Sequence, residues 1–311
     1  PGQCIYESSI KLDGNKVFAK ARILNNRDDE KKYPARSGEL PAVYSNGTYY
    51  RLFTYKGNKP FTNDELTLVP KRHVAPREFP WSRFQATENW AALVNDDNIG
   101  MAVYSPVTER FNGGFTGDEG VGSTFDIPCG YICPVAYLEL DHNIEYEYSY
   151  VLVAGELEDM RKDIYTLARN DRRDKPGFDF NKGRQDWYYR NADDTGWPVK
   201  DILDIIPLGN EFRLMGPDMS FQAANITKLE VVASFETETD NFSFLWSRIE
   251  ESQKTSPDSV VIDIIPGTGF KTYTVELGEK DGFKGLITGI HFSFSDMQTT
   301  DRLRIESINF R

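Results

Sequence analysis

A chain of 311 residues, 39% hydrophobic and 13% aromatic, is long enough for two cored domains and too apolar to be disordered. Its net charge of −12 argues against nucleic acid, whose phosphates need a basic surface. No apolar run approaches the roughly 20 residues of a membrane helix, so no transmembrane segment is predicted.

The chain begins without Met and is strand-like from Ile5, which reads as a mature form or a piece of a longer precursor. "VFAKARIL" is a strand, followed by a charged, turn-rich loop. "LPAVYSNGTYYRLFTY" reads as a hairpin turning at Asn46-Gly47. Residues 66–86, rich in Pro, Arg and Lys, read as a long surface excursion. "ENWAALVNDDNIGMAVYSP" is a second hairpin around Asn95–Gly100. The Gly-rich loop after it lacks a following helix and a Lys-Ser/Thr, so it is no phosphate loop. "VAYLELD" and "IEYEYSYVLVAG" are strands. Leu157, Met160, Ile164 and Leu167 have helical spacing.

A charged linker over 171–185 separates a first domain, 1–170, from a second, 186–311. In the second, short strands between turn clusters indicate a sandwich. The fold class expected is all-β, with one short helix between two antiparallel domains.

Three cysteines and three histidines make a zinc site improbable on numbers alone. Cys129 and Cys133, in "PCGYICP", suit either a local disulfide in an oxidising compartment or two buried thiols.

Glycoside hydrolysis needs two carboxyl groups flanking the scissile bond. Glu39, in "SGELPAVY", and Glu88, in "TENWAALV", sit among apolar and aromatic residues where burial would raise a carboxyl toward general-acid duty. Each reads equally as a solvated acid or a partner for Arg36 or Arg83. If they are the pair, they should share one cleft with an exposed aromatic ring. His142, in "ELDHNIEYEY", is a candidate acid or base, or a turn cap. Sugar faces stack on exposed rings, for which Trp81, Trp90, Tyr44, Tyr49, Tyr50 and Tyr104 are the first-domain candidates. Trp187, Tyr188, Trp197 and Trp246 are those of the second. Strand alternation buries about half of such residues.

Three runs, "YPARSGELPAVYSNGTYYRLFTYKGNKPF", "ENWAALVNDDNIGMAVYSP" and "YLELDHNIEYEYSYVLVAGELEDMRKDIY", resemble segments of large secreted β-sandwich proteins of carbohydrate-degrading bacteria, with a mutarotase-like supersandwich. The closing "GLITGIHFSFSD" and "LRIESINF" resemble the last strands of carbohydrate-binding jelly rolls. The resemblance implies a supersandwich (1–170) followed by a jelly roll (186–311). It implies a secreted, periplasmic or cell-surface location and a polysaccharide or oligosaccharide partner. No cofactor is required. A structural calcium is a family-level expectation, with Asp218, Asp263 and Glu306 as its ligands. A glycoside hydrolase is the leading expectation. A non-catalytic glycan-binding or structural protein is the alternative, and a lyase using His142 with a tyrosine comes third.

Overall fold

The computed structural model describes residues 3–29, 31–75, 78–122, 128–140, 144–171, 175–196, 198–249 and 257–311. His142 and Trp197 lie outside them. The chain is an all-β protein of antiparallel sheets with a single α-helix among the described residues.

The strands before the helix are β1 (Cys4–Asp13), β2 (Lys16–Asn25), β3 (Arg36–Glu39), β4 (Val43–Asn46), β5 (Arg51–Thr54), β6 (Thr67–Val69), β7 (Ser82–Gln85), β8 (Trp90–Val94), β9 (Ile99–Tyr104), β10 (Arg110–Thr116), β11 (Cys129–Leu138) and β12 (Ile144–Glu156). They build a seven-stranded sheet in the order β1-β2-β12-β9-β8-β5-β6. A second sheet runs β3-β11-β10-β7, with β4 also on β11. The two pack face to face over Leu52, Phe84, Leu93, Val103, Phe111 and Ile132.

The helix α1 (Leu157–Asp171) covers the other face of the first sheet. Its Leu157, Met160, Ile164 and Ala168 form a stripe that packs on Trp90, Val94, Tyr104 and Val153. Glu158 and Asp159 in its first turn and Arg169 in its last complement the helix dipole. With both faces covered, β8 is buried at all five positions and reads as an unbroken apolar run.

The hairpin around Asn95 is present, β8 pairing with β9 from Trp90↔Tyr104 to Val94↔Gly100. The hairpin expected at Asn46-Gly47 is not. There β4 pairs with β11 of the second sheet while β5 pairs with β6 and β8 of the first, so this turn carries the chain across the sandwich. Gly47 allows it, because a Cβ there would fall 1.7 Å from the Val121 carbonyl oxygen. The expected surface excursion at 66–86 contributes two strands, β6 and β7.

After the helix come β13 (Gly177–Phe178), β14 (Tyr188–Arg190), β15 (Ala192–Asp194), β16 (Leu203–Pro207), β17 (Phe212–Met215), β18 (Phe221–Gln222), β19 (Lys228–Glu236), β20 (Asn241–Arg248), β21 (Asp258–Asp263), β22 (Gly267–Glu276), β23 (Leu286–Phe294) and β24 (Arg302–Phe310). They form two six-stranded sheets. One runs β15-β16-β24-β19-β22 with β13 on β24; the other runs β14-β17-β23-β20-β21 with β18 on β23. The core between them is aromatic, with Phe212 and Phe294 stacked at 4.3 Å and Phe235, Phe242 and Trp246 close by.

The second pair of sheets closes on one end of the first sandwich. Arg110 pairs with Asp218 at 2.6 Å, and Tyr137 stacks on Tyr188 at 4.9 Å. Buried Glu109 accepts both the backbone N–H and the hydroxyl of Ser220, at 2.8 and 2.7 Å. Between the two bodies lies a cavity of about 640 Å³, lined among others by Tyr137, Glu139, Tyr146, Arg184, Asp186 and Trp187.

Candidate functional site

Successive residues of a strand point to opposite faces. On β11, Ile132 points into the first sandwich, so Tyr131, Cys133, Val135 and Tyr137 lie on the outer face of the second sheet. Its neighbours extend that face. Tyr44 on β4 stands opposite Tyr131, and Glu39 on β3 opposite Val135. The second body covers the Tyr137 end. At the other end the outer face carries a row of three rings.

Tyr131 is the buried middle of that row. Trp81 stacks on it at 4.8 Å with 27° between planes, and Tyr44 leans on its other side at 5.0 Å and 48°. Tyr44 is 61% exposed and Trp81 half-buried, so the outer two rings offer surface to solvent. The Tyr131 hydroxyl donates to Glu39 Oε1 at 2.5 Å, which fixes both the ring and the carboxylate. Burial pushes the Tyr131 hydroxyl far above its ordinary value, so it stays a donor. Trp81 is held from behind: Arg72 Nη1 donates to the carbonyls of Phe79 and Trp81 at 3.0 and 3.2 Å. The guanidinium of exposed Arg83 lies over the Phe79 ring. Beneath the row, burial pushes the Cys133 thiol up to about 11, so it is no nucleophile at neutral pH.

This face brings together Glu39, Tyr44 and Trp81, which the sequence named separately. It adds Tyr131, which the sequence reading missed because "GYICPVA" is apolar at every second-face position as well. The remaining candidates go elsewhere. Glu88 is fully buried on the helix side of the first sheet, where it pairs with Arg161. Both layers of the sandwich therefore separate it from Glu39, and the expected carboxylate pair does not form. Trp90 and Tyr104, 0% and 3% exposed, are cross-strand neighbours beneath α1 and offer no ring to a ligand. Tyr50 donates to Asp96 at 2.5 Å and meets Phe115 edge-on, apart from the row. Trp187, Tyr188 and Trp246 are buried in or beneath the second sandwich. His142 lies outside the described residues.

The three expected calcium ligands do not gather. Asp218 is engaged by Arg110 between the bodies, Asp263 ends the edge strand β21, and Glu306 is exposed on β24 of the opposite sheet. Among the described residues no group of three or more His, Cys, Asp or Glu side chains could hold a metal ion. Cys129 and Cys133 are free thiols. Four residues apart on one extended strand they are about 13 Å apart, beyond disulfide reach. No helix among the described residues is long and apolar enough to cross a membrane.

No family model and no curated protein matches the chain. Among solved structures it is similar to a xanthan lyase of Paenibacillus, at 8% identity and TM-score 0.33 over 99% of this chain and 41% of that one. It is also similar to a glycoside hydrolase family 43 arabinoxylan arabinofuranohydrolase of Bacillus subtilis, at 8% identity and TM-score 0.29, over 97% and 66%. A third is the secreted serine protease VesC of Vibrio cholerae, at 6% identity and TM-score 0.26, over 98% and 50%. The chain thus spans less than half the length of the xanthan lyase.

Proposed function

We propose that this chain is a glycan-binding β-sandwich protein whose ligand lies along the outer face of the second sheet. The observation that carries the reading is the row Tyr44–Tyr131–Trp81, with its two outer rings open to solvent. A pyranose presents C–H-rich faces to such rings and hydroxyls to planar polar groups beside them. Glu39 and Arg83 border the row and suit those hydroxyls. The rings are held before any ligand arrives, by Arg72 behind Trp81 and by the Tyr131–Glu39 bond. Little ordering cost therefore falls on binding. Glu39 is the one carboxylate bonded into the row among the described residues, which favours binding over the two-carboxylate hydrolysis expected from the sequence.

The test is a panel of neutral and acidic polysaccharides, scored by calorimetry for binding and by reducing-end release for hydrolysis. Tyr44→Ala should weaken binding by about tenfold or more, as for an exposed aromatic anchor, with stability within about 0.5 kcal/mol of the parent. Binding that survives Tyr44→Ala and Trp81→Ala unchanged would remove the ligand from this face. Reducing-end release abolished by Glu39→Gln would restore the hydrolase.

A further inference from the structure

The seven-stranded sheet ends at β1, and that edge is unusual in two ways. All ten residues of β1 are exposed, on both faces and along the free edge. Its ladder to β2 also runs the full ten residues, Cys4↔Asn25 to Asp13↔Lys16, with no bulge. Natural edge strands are blunted by shortening, kinks, bulges, proline or charged side chains. β1 has no bulge or proline, and its charges, Glu7, Lys11 and Asp13, all lie on the face opposite Tyr6, Ile10 and Leu12.

The exposed face is apolar where the sheet's interior should be. Tyr6, Ile10 and Leu12 share a face with Ile23 and Ala19 on β2, and through them with Tyr146 and Tyr150 on β12. Further along, that face packs on Leu40, Ala136 and Leu138. The first sheet overhangs the second here, so Tyr6, Ile10 and Leu12 stand 60%, 68% and 73% exposed.

The sequence of β1 is complementary to itself when reversed. In an antiparallel pair of two copies centred on Ser9, each Glu7, which also pairs with Arg22 of its own sheet at 2.8 Å, stands opposite the other copy's Lys11. Each Tyr6 stands opposite the other's Leu12, and each Ile5 opposite the other's Asp13. Ser8 then faces Ile10, which keeps the apolar faces on one side of the sheet. The neighbouring registers that also keep the faces aligned do worse. A centre on Glu7 sets Glu7 against itself, one on Lys11 sets Lys11 against itself, and one on Ile10 sets Glu7 against Asp13. A centre on Ser8 sets Glu7 against Ser9 and Lys11 against Ile5, so it makes no ion pair across the edge. Opposed unlike charges stabilise a cross-strand pair and like charges oppose it.

We propose that two copies of this chain associate through β1, antiparallel about Ser9, joining their seven-stranded sheets across a two-fold axis. Such an interface is isologous and closes as a dimer. It leaves the Tyr44–Trp81 face of each copy on the second sheet, clear of the joined edge, so it is independent of the glycan reading.

Sedimentation equilibrium from micromolar to near-millimolar protein should show a monomer–dimer equilibrium that weakens with salt. Lys11→Glu turns two attractive pairs into repulsive ones and should raise the dissociation constant about tenfold. The register is read separately by cross-linking. Opposed Cβ atoms lie about 4.5–5.5 Å apart, close to disulfide reach. In a Cys4→Ser background, Ser9→Cys should give a covalent dimer on oxidation and Ser8→Cys should not. All three positions are exposed, so the variants should fold. A chain that stays monomeric at every concentration overturns the proposal. So does a dimer indifferent to Lys11→Glu, or cross-linking at Ser8 in preference to Ser9.

Discussion

Glu88→Ala is expected to destabilise the chain by about 3–5 kcal/mol, the cost of leaving a buried charge unpaired. Glu88 Oε1 accepts from the Phe61 N–H at 2.8 Å, from Arg161 Nη2 at 3.0 Å and from the Tyr165 hydroxyl at 2.7 Å. Its Oε2 accepts from the Trp90 indole N–H at 3.0 Å and from Arg161 Nε at 3.3 Å. The carboxylate therefore ties three segments together: the loop near Phe61, the start of β8, and α1. Removing it leaves Arg161, 4% exposed, without a carboxylate partner among the described residues, held by the Asp64 carbonyl, the Tyr165 side chain and the Tyr55 ring. Replacing both partners with apolar residues, as in Glu88→Leu with Arg161→Met, should cost far less than Glu88→Ala alone, because no charge is then left in the core. Urea midpoints followed by tryptophan fluorescence provide the readout. A loss below about 1 kcal/mol for Glu88→Ala would show that water reaches the site and solvates Arg161 once the carboxylate is gone. The glycan affinity of folded Glu88→Gln should match the parent, since the outer face lies two layers away.

The same residue shows where a sequence stops being readable. Acidic Glu88 beside Trp90 suggested a catalytic acid in an aromatic cleft. The aromatic neighbour is real, but the cleft is filled by α1. What the sequence did carry was the counter-charge: Arg161 and Tyr165 are four apart, so they share a face of the helix. A cation embedded in an otherwise apolar stripe asks for a buried anion. Trp90 and Tyr104 fail as sugar platforms for the same reason. Alternation told that they share a face, and nothing local told that a helix lies on it. Glu39, Tyr44 and Trp81 were legible one by one as residue types. Their convergence depends on β11, which joins segments more than forty residues apart in the chain and whose own Tyr131 is hidden in an apolar run. The all-β class and the single helix were readable throughout, because they rest on periodicity alone.

Asp186→Asn is expected to stabilise the chain at pH 8 and to make little difference below pH 4. Asp186 lines the cavity between the two bodies, and its backbone, like that of Gln185, is left-handed, with φ of 64° and 51°. Burial raises its carboxyl from 3.8 to about 6, with a further push from Asp218. The Tyr146 hydroxyl, donating at 3.0 Å, works the other way. Between those two values the folded chain keeps a proton that the unfolded chain has released. Stability from this group is thus complete below about 3.8, falls as pH rises, and is fully lost above about 6. At 1.36 kcal/mol per unit the loss is roughly 3 kcal/mol. Asparagine does not titrate and still offers Oδ1 to Tyr146, so the gap between variant and parent should open across that window. Because other carboxyls titrate alike in both proteins, the difference between their urea midpoints isolates Asp186. A gap that stays constant from pH 4 to pH 8 would mean that Asp186 is solvated. Tyr146→Phe removes the one group that favours the ionised form and should move the window to higher pH, with the variant less stable than the parent at pH 8. That opposite sign separates the effect of burial on Asp186 from a general loosening of the contact between the two bodies, which both substitutions would otherwise share.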